Sequence, residues 1–226
     1  DMGQSVTVQA DGKIVVAGGS TSGGSYNFAV VRYNTDGSLD TGFNSTGKLV
    51  TDFGSGANDV GYSVTVQADG KIVVAGFSNS GGSNDFAVVR YNTDGSLDTS
   101  FNSTGKLVTD FGSGTSDMGQ SVTVQADGKI VVAGYSDSGG SIDFAVVRYN
   151  TDGSLDTSFG SGGKLVTDIG SGASDEGHSV TVQADGKIVV AGTSNSGGSD
   201  NFAVVRYNAD GSLDTSFGSG GKLVTD

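Results

Sequence analysis

Short apolar runs separated by polar punctuation fill this chain, and no stretch carries a helical period. In the first part of the chain four segments, 5–9, 13–18, 28–34 and 48–53, are rich in Val, Ile, Phe, Tyr and Thr and bounded by Gly, Asp, Asn or Ser. They read as strands A to D. Ala10-Asp11-Gly12 joins A to B, and Asp-Gly between two apolar runs predicts a tight hairpin whose two turn residues both take positive φ. A Gly/Ser-rich loop, 19–27, links B to C, and 35–47 links C to D.

The pattern then repeats. GQSVTVQADGKIVVAG at Gly3 returns almost unchanged at Gly61, Gly119 and Gly177, a period of 58 residues. The chain divides into units 1–58, 59–116, 117–174 and 175–226, which read as one repeat domain cut within the same linker. No unit is expected to fold alone, because stacked repeats share a continuous core. A four-strand antiparallel meander written four times predicts an all-β fold, a β-propeller of four 58-residue, four-stranded blades. A parallel β-helix is the alternative, but it has no use for a hairpin in every repeat. With A innermost and D outermost, a closed four-bladed ring is the first choice. Two chains forming an eight-bladed ring, or an excerpt of a longer array, are the other arrangements.

Composition narrows the function. Forty glycines and no proline suit short strands and tight turns, and the absence of cysteine removes disulfides, thiolate metal sites and thiol nucleophiles. With 25 acidic residues against 12 Lys plus Arg, the net charge is −13, and no basic patch interleaved with aromatics exists. Nucleic acid is therefore not an expected partner. Apolar runs such as IVVA and FAVV are too short for membrane insertion by a helix. No signal peptide is present, although the chain reads as a piece of something longer.

The string YNTDGSLDTSFGSGGKLVTDIG from Tyr149 to Gly170, with VQADGKIVVAG ahead of it, resembles the bacterial delta-60 repeat, a propeller-type repeat of large surface proteins. The resemblance covers essentially the whole chain. It implies a propeller, an extracellular or cell-surface location and no established activity. The unit is also similar to the NHL-type blade, whose inner strand, turn and second strand match SVTVQADGKIVVAG.

Differences between the copies cluster on one face of the predicted blades. Ahead of strand A they read Met2, Val60, Met118 and Glu176, then Gln4, Tyr62, Gln120 and His178. The B-to-C loops differ at Gly19, Phe77, Tyr135 and Thr193, then at Tyr26, Asn84, Ile142 and Asp200. A constant frame with one variable loop face is a pattern for recognition, and equally for drift in surface loops. Candidate ligand- or partner-binding residues are Gln4, Tyr26, Tyr62, Phe77, Tyr135, Glu176 and His178, the aromatics as platforms for sugar rings or anchors for a protein.

Candidate chemistry is sparse. Asn34, Asp36, Ser38 and Asp40 alternate as oxygen ligands for calcium would, but the glycine is misplaced for an EF-hand and no bidentate Glu follows. Asx-turns account for the same residues, so no metal ligands are assigned and calcium stays a secondary expectation. Glu176 and His178 would point the same way on an extended segment and form an acid-base pair or half a metal site. The other copies have unlike residues there, and no nucleophile or oxyanion donor accompanies them, so no catalytic residue is assigned. Arg32, Arg90, Arg148 and Arg206 lie amid apolar residues and require carboxylate partners, expected between blades. The leading expectation is a non-enzymatic structural or adhesive module that binds a protein partner or itself, in rings or filaments. A multivalent glycan-binding propeller is second, and a metal-dependent propeller hydrolase third.

Overall fold

The computed structural model describes residues 1–21, 24–54, 56–170 and 172–226. Ser22 and Gly23 of the expected 19–27 loop lie outside the described residues. Sixteen strands form four antiparallel sheets, each a meander in chain order. The first holds β1 (Met2–Val8), β2 (Ile14–Ser20), β3 (Asn27–Tyr33) and β4 (Lys48–Thr51). The second holds β5 (Asp59–Val66), β6 (Ile72–Ser78), β7 (Asp85–Tyr91) and β8 (Lys106–Thr109). The third holds β9 (Asp117–Val124), β10 (Ile130–Ser136), β11 (Asp143–Tyr149) and β12 (Lys164–Thr167). The fourth holds β13 (Asp175–Val182), β14 (Ile188–Ser194), β15 (Asn201–Tyr207) and β16 (Lys222–Thr225). These are the four blades, and no helix occurs among the described residues.

Strand A is longer than the sequence predicts. β1 starts at Met2 because it runs through a bulge: Gly3 pairs with Gly18 and Ser5 with Ala17, leaving Gln4 as the extra residue. Tyr62, Gln120 and His178 are the extra residues of the other three inner strands. The bulge drives the inner strand close to its neighbour, so a Cβ on Gly192 would meet Glu176 O at 1.8 Å. Only glycine fits opposite the bulge.

The A-to-B turn also differs from expectation. Of its two residues only Gly12 has positive φ (83°), while Gly12 N donates to Gln9 O and Gln9 N to Lys13 O. This is the three-residue hairpin, a type I turn closed by a left-handed glycine, and it needs one positive φ rather than two. Asn34 to Ser38 repeats the same bonding, with Gly37 at 84°.

The chain divides into two compact units, Asp1–Thr109 and Asp110–Asp226, each with two blades packed face to face. In the first unit, Val15, Ala17, Phe28, Val30, Phe43 and Leu49 of one blade meet Val64, Ile72, Val74, Ala87, Val89 and Tyr91 of the next. The second unit repeats the pairing around Phe144 and Phe159 against Ile188, Val190 and Tyr207. The face that each blade turns to its neighbour is therefore apolar, and FAVV and IVVA supply it. Each buried Phe contributes about 1.5–3 kcal/mol by leaving water.

Candidate functional site

Each blade carries a fixed ion-pair clamp. Arg32 Nε donates to Asp40 Oδ2 at 2.7 Å within the same blade, and Lys13 Nζ reaches that oxygen at 3.0 Å. Arg148, Asp156 and Lys129 repeat it at 2.8 and 3.0 Å. The guanidinium also lies over an aromatic ring, Arg32 over Phe43 at 4.5 Å and Arg148 over Phe159 at 4.4 Å. The expected pairing of arginine with an aspartate of another blade is thus corrected: the carboxylate lies eight residues downstream in the same blade. What crosses the junction is Nη1, donated to Thr93 O by Arg32 and to Ala209 O by Arg148, both at 2.6 Å. The Lys13 hydrogen bond, aided by Arg32 against the cost of burial, holds the Asp40 carboxyl below its ordinary range.

Oxygens of the 34–40 loop serve the turn itself. Asp36 Oδ1 accepts from Ser38 Oγ at 2.6 Å and from Ser38 N at 2.9 Å, and Asp40 Oδ1 accepts from Gly42 N at 3.0 Å. These are Asx-turn bonds, as the local sequence suggests.

The variable positions occupy strands more than loops. Gln4, Tyr62 and His178 are the bulge residues of inner strands, and Phe77 and Tyr135 lie one residue before the ends of β6 and β10. The expectation that these side chains belong to loops is corrected, because the bulge keeps the strand paired beyond them. Tyr62 and Phe77 come together at 5.8 Å between ring centroids, both half-buried. Tyr135 places its hydroxyl 2.8 Å from Met118 Sδ. Tyr26 remains in a loop and joins the blade junction through its backbone, its carbonyl accepting from Asp59 N at 2.8 Å. Ile142 does the same for Asp175 N at 2.7 Å, which explains why the side chain there is free to change. Gln4 is exposed on β1. His178 Nε2 lies 3.9 Å from Glu176 Oε2, so the structure does bring that pair together, on an open surface.

Clefts form on the opposite, constant side. Gln9, Lys13, Arg32, Gln67 and Thr93 line one of about 490 Å3 in the first unit. Gln125, Lys129, Arg148, Gln183 and Ala209 line another of about 700 Å3 in the second. Gln9, Gln67 and Gln125 each bury an amide oxygen that has no hydrogen-bond partner. Sequence reasoning missed these clefts because, Thr93 against Ala209 apart, the lining residues repeat from copy to copy and variation was the signal followed.

Two blade faces are exposed, one on the fourth blade and one on the first. Phe202 of β15 is 78% exposed, whereas its counterparts Phe28 and Phe144 are fully buried. Around it Ala191 and Leu223 are exposed, where Ala17 and Leu49 are buried. In the first unit Val6 is 63% exposed, and Ile14, Val16, Ala29, Val31 and Tyr33 are all half-buried. These are the counterparts of Val64, Ile72, Val74, Ala87, Val89 and Tyr91, all buried. The two faces are the two halves of the junction that each unit builds internally.

Solved structures share the fold. A protein of unknown function from Dyadobacter fermentans DSM 18053 aligns with a TM-score of 0.58 at 15% identity, over 92% of this chain and 65% of that one. A PL25 polysaccharide lyase, an ulvan lyase, aligns with a TM-score of 0.54 at 14% identity, over 98% of this chain and 56% of its own. An exo-beta-1,3-galactanase from Clostridium thermocellum aligns with a TM-score of 0.51 at 13% identity, over 91% of this chain and 45% of its own. This chain thus spans less than two thirds of each of these proteins. No curated protein matches it by sequence. The profile of a beta-propeller family, the domain of unknown function DUF5122, matches at 9–43, 67–101, 125–159 and 183–217, once per blade and together over more than half of the chain. The four matches fall on the hairpin, the Arg-bearing strand and the Asx-turn loop that make each blade, and the chain belongs to the DUF5122 beta-propeller family.

Proposed function

We propose that this chain is a non-catalytic interaction module of a secreted or cell-surface bacterial protein, built of delta-60-type repeats, that assembles by docking its fourth blade on the first blade of a second copy. The observation that carries this reading is the exposure of Phe202, at 78%, in a position that is fully buried in the other three blades. A Phe on an open sheet face is unfavourable in water and gains about 1.5–3 kcal/mol on burial. The partner face needs no new recognition chemistry. It is the β1–β4 face that carries Val6, Val16 and Tyr33, and the polar contacts are specified as well. Thr51 Oγ1 meets Tyr91 OH at 2.7 Å inside the first unit, and Thr225 and Tyr33 are the corresponding pair across copies. Repeated use of one heterologous contact produces rings or filaments according to whether the rotation closes.

Light scattering on a sizing column tests this. The expected particle is a dimer or larger species of the 22.5 kDa chain, reduced to monomer by Phe202→Asp. A monomer at every concentration, or a Phe202→Asp variant of unchanged mass, would overturn the reading. Glycan binding is a second reading, carried by the adjacent Tyr62 and Phe77 rings. A glycan array on which Tyr62→Ala loses the hits would support it, and an array without hits would remove it.

A further inference from the structure

A side-chain cluster outside these surfaces has its own chemistry. At the junction of the third and fourth blades, wholly inside the second unit, Asp143 opens β11, Asp168 follows β12 and Asp175 opens β13. One carboxylate oxygen from each lies within 4.8 Å of the other two. Oxygens bound to a common calcium ion at about 2.4 Å can be at most about 4.8 Å apart, so one ion can reach all three. Asp175 is fully buried. Its Oδ2 accepts from Ile169 N at 2.7 Å, whereas its Oδ1 is buried with no hydrogen-bond partner. A buried carboxylate oxygen left without a donor is costly, and a cation is the ligand that satisfies it.

The charge balance points the same way. Lys222 is the nearby ammonium, and its Nζ is placed on the Asp168 backbone carbonyl at 2.6 Å. Three carboxylates against one ammonium leave an excess of two negative charges.

We propose that Asp143, Asp168 and Asp175 form a binding site for a divalent cation of the calcium class, which fastens the third blade to the fourth. It is distinct from the 34–40 loops that sequence spacing nominates for calcium, and it does not depend on the proposed assembly. The first unit contains the comparison. Asn27, Asp52 and Asp59 occupy the same places, Asp59 Oδ1 is likewise buried and unpartnered, but the residue opening β3 is neutral. Asp143 is therefore the ligand that decides whether the site is charged enough to hold the ion.

The experiment strips the full chain with chelator and counts bound calcium by equilibrium dialysis and calorimetric titration. Asp143→Asn is expected to lose one ion per chain and part of the calcium-induced rise in melting temperature, and Asp168→Asn the same. Asn27→Asp is expected to gain one ion. Asn at the start of β3 and of β15 demonstrates that the backbone accepts it there, and Asp168 is exposed, so both removals should fold. Unchanged calcium counts in Asp143→Asn and Asp168→Asn, or no calcium bound by the stripped parent chain, would overturn the proposal and leave Lys222 as the cluster's only counterion. No gain in Asn27→Asp would overturn the deciding role of Asp143.

Discussion

The two units use the same junction but reach it by different local means. In both, a tyrosine of the second blade meets a threonine of the first, Thr51 with Tyr91 and Thr167 with Tyr207, at 2.7 and 2.8 Å. In both, a lysine ammonium caps the carbonyl after the fourth strand, Lys106 on Asp52 at 2.7 Å and Lys222 on Asp168 at 2.6 Å. The loop before that strand differs. In the first unit Asn44 and Ser45 take positive φ, 48° and 60°, and Asn44 Nδ2 and Thr46 Oγ1 close the loop on Lys48 O. In the second, Gly160 and Gly162 take positive φ, and Ser161 N closes on Lys164 O through the backbone. Either loop delivers a backbone N–H to the neighbouring blade, Asn44 to Asp94 O at 2.8 Å and Gly160 to Asp210 O at 2.9 Å. Main-chain contacts persist while side chains diverge around them, because a main-chain donor constrains shape and not identity. Among the side chains at which the junctions part are Asn27 against Asp143 and Phe53 against Ile169.

The largest effect should come from the aromatic at each junction. Phe28→Ala and Phe144→Ala should each cost about 3–5 kcal/mol in urea denaturation. Phe28 also stacks on Phe53 at 4.9 Å, so its loss should exceed that at Phe144 by about 0.5–1.5 kcal/mol. Phe202→Ala should change the stability of the monomer by no more than about 0.5 kcal/mol. A loss at Phe202 equal to that at Phe144 would break the contrast between covered and open faces.

The acid clusters should separate by pH in chelator. Burial and its two aspartate neighbours raise the Asp143 carboxyl in the folded state, so its contribution is present in full below the ordinary value of 3.8 and is lost as pH rises through the raised one. Asp156 behaves oppositely. Its burial is outweighed by bonds from Ser158 and Lys129, so its stabilisation is present above that value and lost as pH falls through the lowered one. Melting temperature should therefore rise as pH falls from neutral towards the ordinary carboxylate value and fall in stronger acid. Asp143→Asn should flatten the upper limb only, and an unaltered profile would mean that Asp143 is not strained by its neighbours.

The smallest effect belongs to the loops. Ser45 holds φ at 60°, which costs a residue with a Cβ about 1–2 kcal/mol, so Ser45→Gly should stabilise by up to about 1 kcal/mol after the added freedom of the unfolded glycine. Chemical denaturation would detect it, and a destabilised Ser45→Gly would show that the serine contributes more than its conformation costs.

Much of the blade was legible because its signals are local. The alternation of apolar runs with Asp-Gly turns gave all four sheets and their order, and the Asx-turn at Asp36 and Ser38 followed from spacing alone. The bulges were less visible, although glycines at 3 and 18 inside a β-branched pattern were the signal for them. His178 and Glu176 did come within reach of each other.

What sequence by itself determined is therefore the repeat, the strands and the turns, since strand periodicity and left-handed glycine act over a few residues. Tertiary structure decided which oxygens and which faces meet. Arg32 chose Asp40 of its own blade and Thr93 O of the next because two sheets stack at a particular register. Asp143, Asp168 and Asp175 lie on three different strands or their ends and converge only when the fourth blade closes on the third. Phe202 opens the same FAVVRYN run as Phe144, and the presence of a following blade makes one of them core and the other surface.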